Sequence, residues 1–369
     1  MRERLNRLAL GLVAAVVALL FALAVTAIIL ELTNHSAWST FKQMYTYGTS
    51  TTNISVTINA ATTYYLSAVA VAIGFRMNLF NIGVDGQYQI AALLAAAFGG
   101  AVALPTGLHQ IAIIIVAMLA GSAWAGIVGL LKVTRGVSEV ISSIMLNFIA
   151  TAVIAYLFVP GKLAHPFGES LTTTPIKSSG QVGGIQLFHN STVKIYGLVF
   201  LAAAVGFGFQ FLISRTRFGF DLRATGRSAS AAQASGVNVK RMVLVTMLLS
   251  GAVAGLVNMP VLLGEAHNYS LNTPSGIGFT GIAIALLGRN SPLGIAFASL
   301  LWGFLDTSKN ILGISSVPDS IVLITEGVVV LSAVVAYELV QRYARKRLAR
   351  HVGRELGTAT PTDGSEVLA

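Results

Sequence analysis

Residues Gly74-Phe75-Arg76-Met77-Asn78-Leu79-Phe80-Asn81-Ile82-Gly83-Val84-Asp85-Gly86-Gln87-Tyr88-Gln89 set one carboxylate, two Asn, two Gln and three Gly between two hydrophobic runs. Polar groups at membrane depth are costly unless paired or turned to an aqueous path. Glycines let the backbone open, and amide side chains offer both donors and acceptors, which suits a neutral hydroxylated solute. On this basis Asn78, Phe80, Asn81, Asp85, Gln87 and Tyr88 are candidates for lining a translocation path, with Gly83 and Gly86 breaking the helix. A structural knot around a helix break, with Asp85 capping a helix start, is the alternative, and one stretch can do both.

A second element, Gly276-Ile277-Gly278-Phe279-Thr280-Gly281 to Gly288-Arg289-Asn290-Ser291-Pro292-Leu293-Gly294, echoes the first. Paired Gly-interrupted elements in two halves of a chain point to a central path between structural repeats. Phe279 therefore joins the path candidates, and Gly278 and Gly281 join the helix-breaking glycines. Glu265 and His267 fall at the outer surface. Glu326 lies in the last hydrophobic segment and needs a partner or water.

Other chemistry is poorly supported. The chain has no Cys, and its six His form no HExxH pair, so no metal site is expected. No convincing nucleophile–base pair or cofactor motif is present, and no G-x-x-x-x-G-K-[ST] phosphate loop, so the chain is expected neither to bind nor to hydrolyse ATP.

The third polar stretch, Thr216 to Val237, lies in the most basic loop. Ser228 to Ala234 can form a short Ala-rich helix, with Gly226 before it and Gly236 ending it. Such a helix can seat in a groove of another protein. An interfacial helix held by anionic lipid through its arginines fits the residues equally well.

The elements that must position these groups follow from composition. Of 369 residues, 54% are hydrophobic and 10% charged, against about 25% charged in a soluble domain. Lipid is therefore part of the environment, and an all-α polytopic membrane protein is expected. Ten apolar segments can be drawn, near 8–30, 58–75, 79–104, 109–131, 138–159, 195–213, 242–263, 276–288, 292–311 and 319–340. The third reads as broken or re-entrant, and the eighth is too short to span as a straight helix. The first, at 23 residues, is too long for the core of a cleaved signal peptide and is expected to be retained.

The net charge of +10 gathers beside the apolar segments rather than on a face for nucleic acid. With the N-terminus inside, 19 of the 24 Lys and Arg fall on the cytoplasmic side, and both termini are cytoplasmic. The expected organisation is a cytoplasmic N-terminus (1–7), a transmembrane domain (8–340) and a basic, then polar cytoplasmic tail (341–369). Within the domain lie a cytoplasmic loop at 214–241 and outer loops at 31–57 and 160–194. The outer loops are either a docking surface or an inert cap.

From about residue 60 to 340 the chain resembles the permease family of ATP-binding-cassette (ABC) importers for simple sugars, nucleosides and branched-chain amino acids. Leu79-Phe80-Asn81-Ile82-Gly83-Val84-Asp85-Gly86-Gln87 is similar to the signature of the nucleoside and simple-sugar branch. Thr216–Gly236 is similar to the family's cytoplasmic coupling segment, and Gly281–Arg289 to its second-half motif. Asp85 stands where that branch more often carries Glu. The resemblance implies about ten helices in a bacterial inner or plasma membrane, and two permease subunits, the second a non-identical one. It also implies separate ATPase subunits that hold the ATP and Mg, and an extracytoplasmic binding protein, commonly a lipoprotein. Arg223, Gly226, Arg227, Ala231, Ala232, Ser235 and Gly236 would seat in the ATPase groove. Nucleosides are the expected cargo, with ribose or another simple sugar as the alternative. An ion-coupled secondary transporter using Asp85 or Glu326 is the rival from another class.

Overall fold

The computed structural model describes Val17, residues 20–167, 170–314 and 320–332, Val335 and Arg342. The expected N-terminus (1–7), the start of the first apolar segment and the tail beyond Arg342 lie outside the described residues. The chain divides into two units, residues 40–318 and the paired ends Met1–Ser39 with Asp319–Ala369. In the latter, the Thr26 hydroxyl of α1 (Leu20–Leu32) bonds the Ala22 carbonyl at 2.9 Å and the Thr325 hydroxyl of α14 (Ser320–Ser332) at 3.1 Å. Glu326 of α14 is buried.

The larger unit starts within α2 (Ala37–Gly48) and runs through α3 (Thr51–Phe75), α4 (Val84–Ala101), α5 (Leu108–Arg135) and α6 (Glu139–Leu157). Two short hairpins follow, then α7 (Val199–Arg215), α8 (Arg217–Arg227), α9 (Ala229–Ala234) and α10 (Val239–Gly255). This unit closes with α11 (Met259–Val261), a π-turn at Leu262–Ala266, α12 (Ile277–Leu287) and α13 (Pro292–Ile314). Among the described residues four helices are long and apolar enough to cross a bilayer, or six if each of two bent pairs is one span; α7 and α8, bent by 74°, form one such pair. α12, with 11 residues, is about 16 Å long and cannot span alone. Large apolar side chains on α5, α6 and α7, among them Ile115, Leu119, Phe148, Phe207 and Phe211, are exposed. That is the surface a lipid-facing helix presents.

Small residues set the packing. In lipid, helices gain little from hiding apolar surface from each other, so close backbone approach matters more. Ala117, Gly121 and Ala125 on α5 meet Gly251 and Gly255 on α10. A Cβ at Gly121 would lie 2.3 Å from the Gly251 carbonyl oxygen, and one at Gly255 would lie 2.1 Å from that of Ala117. α3 is the hub, covered along most of its length, and touches α10, α12 and α13.

The two ends of this unit are chemically distinct. The 160–196 segment folds into two antiparallel hairpins, β1 (His165–Phe167) with β2 (Ser170–Thr172) and β3 (Gly184–Ile185) with β4 (Ile195–Tyr196). Backbone bonds from Thr173 to Tyr269, Ile176 to His267 and Val182 to Leu263 tie it down, and the Tyr196 hydroxyl donates to Glu265. Burial and the neighbouring Glu265 carboxylate push the Tyr196 hydroxyl well above its usual pKa and keep it protonated. At the opposite end gather the Lys132–Glu139 ion pair, Arg76, Gly226 and Asn290. The basic loops thus share one end, as the charge bias requires if that end is cytoplasmic.

Candidate functional site

The break between α3 and α4 is held by a closed amide network. The Asn81 side chain accepts from the Gly83 amide (3.1 Å) and the Gln87 amide group (2.9 Å), and donates to Gln87 Oε1 (3.0 Å) and Ser250 Oγ (2.8 Å). Ser250, on α10, donates onward to the Ala70 carbonyl at 2.7 Å. Asn147, on α6, accepts from the Gly86 amide and donates to the Ile82 carbonyl. Backbone groups freed by a break must find partners where water is absent, and these side chains supply them. The network also sets depth: Asn81 is tied to Ser250 and so to the level of Ala70, so α4 starts more than a turn inside the end of α3.

Asp85 then reaches across to the second half. Its Oδ1 accepts from the amides of Gly276 (2.9 Å) and Gly278 (3.1 Å), and its Oδ2 from Gln89 (2.7 Å). Those amides open α12, where unpaired N–H groups and the helix dipole favour a negative charge. Asp85 is therefore a cap, but for α12 rather than for its own α4, whose N-cap is Gly83. The Tyr88 hydroxyl donates to the Pro274 carbonyl at 2.7 Å, and Ser67 Oγ to the Ile277 carbonyl at 2.8 Å. The two polar elements of the sequence thus meet face to face.

The path candidates separate into two sets. Asn81, Gln87 and Tyr88 are fully buried, Asp85 nearly so, and the bonds above occupy their polar groups. Asn78 is exposed in a left-handed turn. Phe80 is 44% exposed with its edge against Phe75, and Phe279 is 50% exposed. The glycines require a correction. Gly83 sits at the break, whereas Gly86, Gly278 and Gly281 lie inside helices, where they permit contact rather than opening. A Cβ at Gly86 would lie 2.9 Å from that of Ala150, one at Gly278 2.3 Å from the Asp85 nitrogen, and one at Gly281 2.1 Å from Ser67 Oγ.

In the basic loop, α9 forms at the expected place. Ser228 caps it by accepting from the Ala231 amide, and Gly236, at φ 88°, ends it. α8, capped by Thr216, extends the helical region further upstream than the Ala-rich run indicates. Arg227, Ala231, Ser235 and Gly236 are exposed, while Ala232 is buried. Arg223 donates to the Ile213 carbonyl, and Gly226 is pressed against the backbone of Arg76 and Met77.

Sequence reasoning did not single out Ser67, Asn147 and Ser250, single polar residues inside apolar helices. Their only signal is the cost of a polar group at that depth. It also missed a cavity of about 690 Å³ between α3, α7 and α13, mainly aliphatic, with Thr62, Tyr65, Gln210 and Ser299 in its wall.

Comparisons with known proteins agree with this architecture. The family of branched-chain amino acid transport system permease components matches residues 53–337. The guanosine ABC transporter permease protein NupP of Bacillus subtilis is 32% identical over 345 residues, 92% of this chain and 96% of the relative. The nucleoside ABC transporter permease protein NupB of Lactococcus lactis is 30% identical, over 77% of this chain and 80% of the relative. The glucose ABC transporter permease protein TsgB13 of Haloferax volcanii is 29% identical, over 75% and 74%. No solved structure matches the chain. With its family matched across most of its length and its apolar helices turned to lipid, this chain is an integral membrane protein and belongs to the family of branched-chain amino acid transport system permease components.

Proposed function

We propose that the chain is a transmembrane subunit of an ABC importer that moves nucleosides into the cell by alternating access. The observation that carries the cargo is the near full-length similarity to NupP, joined by that to NupB. A glucose permease at 29% keeps simple sugars as the second reading. Half-exposed Phe80 and Phe279 offer aromatic faces on which a base can stack and a sugar gains less.

Energy arrives from separate ATPase subunits, which hold ATP and Mg. The exposed side of α9 with Ala231, flanked by Arg227 at the end of α8 and by Ser235 after α9, is the surface offered to their groove. A second, non-identical permease subunit completes the path, and an extracytoplasmic binding protein delivers cargo to the end bearing the hairpins. Asp85 does not suit the role of an ion carrier: two backbone amides and Gln89 already occupy its carboxylate.

Competitive uptake of radiolabelled uridine, adenosine and ribose, in cells with and without the chain, tests the cargo. Chain-dependent uptake of the nucleosides that excess ribose does not suppress is expected. Chain-dependent uptake of ribose alone overturns it.

A further inference from the structure

Both ends of α12 are held by residues from the first half of the chain. Asp85 holds the first turn. After the last turn the backbone passes through Arg289 and Asn290 at φ 56° and 52°, two consecutive left-handed residues without the freedom of glycine. The Asn290 carbonyl accepts both Nε and Nη2 of Arg76, at 3.1 and 2.6 Å. A rigid guanidinium fork on one oxygen fixes direction as well as distance.

The other side of Arg76 meets α8. A Cβ at Gly226 would lie 2.6 Å from the Arg76 carbonyl oxygen and 3.0 Å from the Met77 Cα. One turn earlier on α8, the like-charged Arg223 repels the Arg76 guanidinium. α8 therefore bears on Arg76 by contact and by charge, and Arg76 grips the turn that ends α12. Gly278 and Gly281 bring α12 into close contact with α4 and α3, with no side chain of its own in between. On its other face Phe279 and Leu286, seven residues apart, are exposed and move with it.

We infer that Arg76 is the positioning residue that transmits movement of α8 and α9 to α12. The inference rests on 214–241 being the seat of the ATPase.

The test uses the complete importer in proteoliposomes. The chain has no Cys, so Leu286→Cys gives it a single thiol on α12. Its rate of modification by a membrane-impermeant maleimide is compared without nucleotide and with ATP–vanadate, alongside nucleoside moved per ATP hydrolysed. With Arg76 present, trapping is expected to change the labelling rate. With Arg76→Ala the change disappears and transport per ATP falls roughly three- to thirtyfold, while ATP hydrolysis persists. Arg76→Lys, which keeps one donor, recovers part of the loss. Gly226→Ala, acting from the α8 side with Arg76 intact, is expected to lower the same ratio and decides the matter if Arg76→Ala does not assemble. Unchanged labelling response and stoichiometry in Arg76→Ala, or in Gly226→Ala where that variant decides, overturns the inference alone. Absence of ATP dependence in the unsubstituted importer overturns both the inference and the function on which it rests.

Discussion

Replacing Asp85 separates a structural carboxylate from a transported charge. Asp85→Ala orphans the amides of half-buried Gly276 and buried Gly278, at about 1–3 kcal/mol each. Relief from burying a carboxylate offsets part of this, leaving a net loss of about 2–4 kcal/mol. The melting temperature should fall by about 3–5 °C. Asp85→Asn keeps an oxygen for both amides, and Gln89 can turn its own oxygen toward the new NH₂ group, so its cost is about 1 kcal/mol or less. The assay pairs thermal unfolding in detergent, read by size-exclusion chromatography, with uptake at matched membrane abundance. Asp85→Asn should fold and transport nearly as the parent does; Asp85→Ala should be unstable. An Asp85→Asn variant of parental stability that transports nothing would refute the reasoning, because the charge itself would then be needed. An Asp85→Ala variant that melts with the parent would refute it as well.

Gly121→Val puts a branched side chain where even a Cβ lies 2.3 Å from the Gly251 carbonyl oxygen; folded protein should be lost by the same chromatographic assay, whereas an exposed Gly208→Ala should be tolerated. Ala231→Trp, on the exposed side of α9, should leave melting within about 2 °C while uptake falls tenfold or more, by order of magnitude, from blocked docking. Phe279→Ala should spare stability and raise the half-saturation concentration for nucleosides by roughly threefold to tenfold, the loss of one stacking contact.

Local features were legible in the sequence. The apolar runs marked most of the helices, though not α2, which lies inside the expected outer loop at 31–57; the Gly74–Gln89 polar stretch marked the break, and Gly236 marked the end of α9. Each signal lies within a few residues of the element it specifies. The partner of Asp85 does not, since Gly276 is 191 positions away and contributes only its backbone, which has no letter in the sequence. The same holds for the glycines. Gly86 and Gly281 look like breaks in isolation, yet each is a contact with a neighbouring helix that only tertiary geometry reveals. α8 was missed because its arginines and two glycines mask a helix that is capped by Thr216 and braced by packing. The outer hairpins were missed because their strands are two or three residues long.

The most direct test reconstitutes the chain in sealed vesicles with its ATPase, permease and binding-protein partners and measures nucleoside accumulation. Accumulation should require ATP, should stop when the ATPase subunits carry a substitution that abolishes hydrolysis, and should be insensitive to ionophores. Accumulation by the purified chain alone, driven by an ion gradient, would contradict the account.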